Sequence, residues 1–166
     1  MQLEGSCHCG SVRFRARSPH PHPFNLCYCS ACRKTAGTGG FAINVSAESA
    51  SLEVEGREHL ETYRPGHVDE HDGKPSPQER LFCKRCGTAL WVYDPRWPEY
   101  VFPHAGAVDT ELPTPPERTH LMLDFKAPWV VVDAGPKDLR FPRYPSESIA
   151  EWHERLGVVS GDDGEV

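Results

Sequence analysis

The chain has 166 residues, within the roughly 100–200 residues of one domain and long enough to bury a core without disulfide staples. Hydrophobic residues make up 38%, charged residues 25%, and the net charge is −6 with neutral histidines. That balance, with a mean hydropathy of −0.55, argues against a membrane span, which needs ~18 consecutive apolar residues, and against a non-specific nucleic-acid binder, which carries a basic footprint.

The first residues, Met1-Gln2-Leu3-Glu4-Gly5-Ser6-Cys7, have neither the basic region nor the apolar stretch of a secretory leader, so a cytoplasmic setting is expected. Residues 11–17 alternate strictly, with Val12, Phe14 and Ala16 on one face and Arg13, Arg15 and Arg17 on the other. This predicts a half-buried strand with a solvated arginine stripe. Residues 19–23 form a stiff Pro-His loop in which His20 and His22 read as solvated. Residues 24–29 read as a strand, and Ser30 is placed to cap a short helical turn through residue 36, stopped by Gly37. That turn sets Cys29 and Cys32 beside free backbone N–H groups, which favour thiolate, with Arg33 and Lys34 adding positive charge. Residues 41–45, 51–54 and 59–63 are further short strands, and residues 65–78 are a proline- and glycine-rich loop. Residues 88–93, 100–102, 120–123 and 129–132 complete a β-rich set. Residues 146–156, capped by Ser146 or Ser148 with Ile149, Trp152 and Leu156 in helical spacing, are the one substantial helix. An acidic tail, 161–166, follows.

The seven cysteines fall into three groups: Cys7 and Cys9; Cys27, Cys29 and Cys32; Cys83 and Cys86. An odd number excludes a fully paired disulfide framework within one chain, and clustered cytoplasmic thiols are more often metal ligands or catalysts. Cys83-Lys84-Arg85-Cys86-Gly87 has the form of a zinc knuckle: the short turn lets two thiolates chelate one ion, and the glycine lets the backbone turn without a Cβ clash. A thioredoxin-like redox pair would need a preceding βαβ pattern, which is absent from the sequence. One knuckle supplies two ligands and a structural zinc takes four, so seven cysteines divide economically into one closed site and one site short of a ligand. Spacing leaves open which other pair joins Cys83 and Cys86. His104 and His120 are candidate acid–base groups only because histidine titrates near neutrality; a structural role is the expectation for both.

Gly5-Ser6-Cys7-His8-Cys9-Gly10-Ser11-Val12, then Cys27-Tyr28-Cys29-Ser30-Ala31-Cys32-Arg33-Lys34, then Phe82-Cys83-Lys84-Arg85-Cys86-Gly87-Thr88-Ala89-Leu90 resemble the glutathione-dependent formaldehyde-activating enzyme family, which includes centromere protein V. The likeness spans about residues 2–130, leaving a C-terminal extension of about 131–166. It implies a mainly β chain: a single β-tent-type zinc domain, 1–166, of short antiparallel strands with a short C-terminal helix. It also implies the partition, with Cys7, Cys9, Cys83 and Cys86 around a structural zinc and Cys27, Cys29 and Cys32 around a second zinc with an open fourth position. Two zinc ions per chain are expected, the second site being the one prone to partial occupancy. The implied activity is that of a carbon–sulfur lyase-type enzyme acting on a small thiol such as glutathione, which with formaldehyde gives S-hydroxymethylglutathione. A three-thiolate zinc is electron-rich, and its natural fourth partner is another soft sulfur. The alternative of a different class is a non-catalytic zinc module that binds a protein partner or stores zinc.

Overall fold

The computed structural model describes residues 1–66 and 73–160, so the middle of the 65–78 loop and the 161–166 tail lie outside the described residues. In chain order the elements are β1 (Gln2–Ser6), β2 (Arg13–Arg17), β3 (Asn25–Cys27), α1 (Ser30–Thr35), β4 (Ala42–Ile43), β5 (Ala47–Glu48), β6 (Glu53–Glu55), β7 (Leu60–Tyr63), β8 (Glu79–Cys83), β9 (Ala89–Tyr93), β10 (Tyr100–Pro103), β11 (Thr119–Leu121), β12 (Leu139–Arg140) and α2 (Ile149–Leu156). The fold is mainly β, as expected, with one short C-terminal helix. Among the described residues no helix is long and apolar enough to cross a membrane.

The strands form three sheets, ordered β1-β2-β6, β5-β10-β9-β8-β7 and β12-β11-β3-β4. Pairing is antiparallel throughout the first two; in the third, β11 runs parallel to both β3 and β12. The alternation of residues 12–17 holds: Phe14 and Ala16 are buried and the three arginines exposed. Arg15 pairs with Glu53 and Arg17 with Glu48, surface ion pairs that solvent screening leaves weak. Phe14 meets Trp91 of β9 edge-on at 5.5 Å, joining the first two sheets around a core that includes Leu3, Val45, Leu90 and Val101.

Several boundaries differ from the sequence reading. β1, β5, β8 and β12 were not expected: β1 and β8 lead directly into cysteine turns, whose ligand pattern masks the strand signal, and β5 and β12 have two residues each. The strand expected at 120–123 stops at Leu121 because Met122 takes a left-handed backbone, φ 61°. Residues 129–132 are not a strand. The Val130 N–H turns back to the Ala127 carbonyl, the Lys126 ammonium donates to the Val130 carbonyl at 2.7 Å, and Trp129 is exposed. A lysine that satisfies those carbonyls removes the need for a strand partner.

The C-terminal helix forms where expected, and its cap is Ser148. The Ser148 hydroxyl accepts from the Glu151 N–H, the Glu151 carboxylate accepts from the Ser148 N–H, and Gly157 ends the helix at φ 65°. Its buried face turns back onto the loop before β3. Trp152 stacks on Phe24 at 3.8 Å, and His153 packs 5.0 Å from His20 and 5.1 Å from His22. His20 is therefore buried, contrary to the solvated-loop expectation; the helix that covers it comes from over a hundred residues downstream.

Candidate metal centres

Cys7 ends the chain segment leaving β1, and Cys83 ends β8; each opens a tight turn. The Gly10 N–H donates to the Cys7 carbonyl and the Gly87 N–H to the Cys83 carbonyl, both at 2.8 Å. Gly10 and Gly87 sit at φ 71° and 75°, a backbone that only glycine adopts without strain. The two turns are tied to each other: the His8 N–H reaches the Thr88 hydroxyl, and the Arg85 guanidinium reaches the Ser11 hydroxyl. The result brings Cys7, Cys9, Cys83 and Cys86 together with all four sulfurs within 4.8 Å of one another. Cys7 and Cys9 are 3.5 Å apart, and Cys9 and Cys83 are 3.8 Å apart. Four thiolates at about 2.3 Å from one zinc lie about 3.8 Å from each other in a tetrahedron, so the donor set fits a single tetrahedral ion. Cys7 and Cys83 belong to the main core, whereas Cys9 and Cys86 face solvent. The Thr88 hydroxyl and then its backbone N–H pull the Cys86 thiol down to about 5, while burial pushes Cys83 up to about 11.

The second cluster is built by β3 and α1. Cys27, Cys29 and Cys32 place their sulfurs within 4.8 Å of one another, and all three are buried. The cap of α1 is Cys29 rather than Ser30: its sulfur accepts from the Cys32 N–H at 3.3 Å. The expected aid from free helix N–H groups is thus delivered to Cys29. Leu121, Met122, Ala42 and the partly buried Phe125 wall the sulfurs with apolar surface. Within this set Cys32 ionises first. Hydrogen bonds from the Cys27 and Cys29 thiols, and then the charge of Arg80, hold it well below the ordinary thiol range against its burial. Cys27 is pushed well above that range by its bonds to Cys29 and Cys32 and by burial. Cys29 rises to about 12, the lowering by Cys27 being outweighed by Cys32 and burial. Three soft donors suit a thiophilic ion and leave one tetrahedral position unfilled by this chain.

The charge beside these sulfurs comes from a residue the sequence reading missed. Arg80 of β8 is 5% exposed and reaches the Cys32 sulfur at 3.7 Å, with the Thr35 hydroxyl at 3.1 Å and the Gln78 side-chain oxygen at 2.9 Å. A β-bulge between Leu81 and Phe82 lets β8 turn both Arg80 and Cys83 inward, three residues apart, where a regular strand would send them to opposite faces. One strand thereby serves both clusters. The Asn44 amide lies 4.0 Å from the Cys32 sulfur. Arg33 and Lys34 lie in the last turn of α1, as expected.

The two candidate histidines separate. His120 sits behind β3 with Leu26 and Tyr28, on the face opposite Cys27 and Cys29. The Asp138 carboxylate is 3.6 Å from its Nε2, so Nδ1 accepts from the Tyr28 hydroxyl at 2.9 Å. This is a structural histidine. His104 is buried within electrostatic reach of Cys32 and Arg80, and burial pushes it down to about 4, so it is neutral at pH 7. Two surface hollows, of about 490 Å³ beside α2 and about 250 Å³ over β1, β2 and β6, include no cysteine in their linings.

A mainly β chain that gathers seven cysteines into a group of four and a buried group of three defines a class of cysteine-clustered β protein. Its sequence matches the profile of the glutathione-dependent formaldehyde-activating enzyme family over residues 2–123. The chain belongs to that family. A protein of Halomonas elongata named for the same family is 60% identical over 161 residues, covering 97% of this chain and 100% of the relative. A crystal structure of a Rhodobacter sphaeroides protein shares the fold, with a TM-score of 0.50 at 20% identity over 85% of this chain and 99% of that one.

Proposed function

We propose that this chain is a zinc-dependent carbon–sulfur lyase-type enzyme that joins a small thiol such as glutathione to formaldehyde. Cys7, Cys9, Cys83 and Cys86 hold a structural zinc, and Cys27, Cys29 and Cys32 hold a second one at the reacting site. The observation that carries the reading is the buried cluster with three sulfurs where a closed tetrahedron takes four. An ion bound there supplies a soft Lewis-acid position at which a thiol is deprotonated and its sulfur fixed. Family membership and the name of the Halomonas relative support the glutathione and formaldehyde assignment.

The chain's own residues prepare the site. The Cys32 N–H and the Arg80 guanidinium stabilise sulfur anions. Leu121, Met122 and Phe125 exclude water and strengthen those interactions. In the net reaction the sulfur–carbon bond forms, the carbonyl electron pair moves to oxygen, and the proton given up by the thiol ends on that oxygen. Nothing is oxidised or reduced. The reduced thiols that both clusters require fit a cytoplasmic setting. The test is adduct formation above the uncatalysed rate, alongside metal content per chain. Excess rate with glutathione or another low-molecular-weight thiol, lost in Cys29→Ser, is the expected result; no excess with any such thiol refutes the proposal.

A further inference from the structure

The two clusters differ in how their negative charge is relieved. In the group of four, Cys9 and Cys86 face water, which screens the sulfur charges. In the group of three, every sulfur is buried, and Ala42, Leu121, Met122 and Phe125 make part of the wall apolar. Three thiolates around a dication carry a net charge of −1, and an anionic sulfur in the fourth position raises that to −2. Water cannot screen this charge, and burying uncompensated charge is strongly unfavourable. Arg80 is the one cation among the described residues with a hydrogen bond to a cluster sulfur there, at 3.7 Å from Cys32, and its charge is permanent. It is fixed from two sides, by Thr35 and Gln78. A second observation points to a ligand. The Arg80 Nε, the Asn44 Oδ1 and the His104 Nδ1, all on residues around Cys32, are buried and have no hydrogen-bond partner. Native interiors rarely leave such groups unpaired, and three together mark a place built to receive polar atoms from outside the chain.

We infer that Arg80 is the specificity-determining counter-charge of the three-cysteine pocket: it makes the open position prefer an anionic sulfur ligand over a neutral nitrogen one. This rests on the zinc-and-thiol reading of the same pocket. With Arg80 the loaded pocket carries −1 rather than −2, and a neutral ligand gains nothing from it. Because the guanidinium also donates to Cys32, it draws charge from that sulfur and leaves the incoming one as the better nucleophile.

The test uses the full chain loaded with two equivalents of cobalt(II), whose thiolate charge-transfer absorption reports sulfur ligands directly. Wild type, Arg80→Gln and Arg80→Lys are titrated with glutathione and, separately, with imidazole. A charge-assisted hydrogen bond and its compensation are worth about ten- to a hundredfold in affinity. Glutathione binding is expected to weaken by that factor in R80Q, with imidazole affinity unchanged or higher, and R80K is expected to retain most of the glutathione affinity. Equal glutathione affinity in wild type and R80Q overturns the inference, as does a parallel loss for both ligands. Failure of R80Q to keep its second cobalt also overturns it, because Arg80 would then serve to hold the thiolates and not to choose the ligand. If R80Q does not fold, Gln78→Leu with Thr35→Val frees the guanidinium from its two acceptors; the same selective loss supports the inference and its absence overturns it. A wild-type protein that binds two cobalt ions and shows no increase in its cysteine-derived thiolate band when glutathione is added refutes the thiol reading itself, a result distinct from an R80Q that matches a glutathione-binding wild type.

Discussion

Acidification should undock α2 through His153. Its ring is fully buried, Nδ1 donates to the Ile149 carbonyl at 2.8 Å, and Nε2 accepts from the His22 N–H at 3.2 Å. Both nitrogens are therefore committed in the neutral ring, and a second proton would have to displace the His22 N–H. Burial pushes His153 down to about 4 from an ordinary 6.5, with the neighbouring His20 and His22 acting in the same direction. Between those values the unfolded chain binds the proton and the folded chain does not. The stabilisation is thus fully present above pH 6.5 and is lost as pH falls towards 4. At ~1.36 kcal/mol per unit, the gap between 6.5 and about 4 amounts to ~3 kcal/mol. Burial lowers His20 and His22 as well, adding to the effect, while Glu154 and Glu48 partly offset it at His20. For a chain of this size ~3 kcal/mol is a Tm change of about 6–12 °C. The control is His153→Gln, whose amide can make both hydrogen bonds without titrating. Thermal melts at pH 7 and pH 4 should show wild type losing about that much more Tm than the variant, metal loss being common to both. Superimposable pH profiles would refute the reasoning.

Other outcomes follow from the same contacts. Cys83→Ser should leave the chain unfolded at ambient temperature by circular dichroism, because apparent zinc binding of ~10–16 kcal/mol exceeds the ~5–15 kcal/mol of a whole domain. Cys29→Ser should melt as a folded protein and show no thiol-dependent turnover; the reverse order of damage would mean that the structural and reactive clusters are exchanged. Tyr28→Phe removes the 2.9 Å bond to His120 and should lower urea stability by ~1–2 kcal/mol with the metal count unchanged. A change in metal count instead would place Tyr28 in the reactive site.

The metal-ligand pattern was legible because it is local: a knuckle needs two cysteines and a glycine within five residues, and Gly87 takes the left-handed backbone its place demanded. The pairing of Cys7 and Cys9 with Cys83 and Cys86 was not contained in spacing; it came from the family likeness and is met by the geometry of the two interlocked turns. Arg80 was missed because its inward aim depends on a bulge, which period-two alternation does not foresee. His20 was read as solvated because nothing near residue 20 announces a helix at Ile149–Leu156 closing over it. Residues 129–132 have a strand's composition, yet Lys126 meets the Val130 carbonyl and Trp129 points to solvent. Tertiary partners decided each of these, and propensity did not.

Anomalous scattering measured at the zinc edge on crystals of the native protein tests the two-centre assignment most directly. Two peaks per chain are predicted, one enclosed by Cys7, Cys9, Cys83 and Cys86 and the other bounded by Cys27, Cys29 and Cys32 with a non-protein ligand completing it. A lone peak, or sulfur–sulfur bonds in place of either, would contradict it.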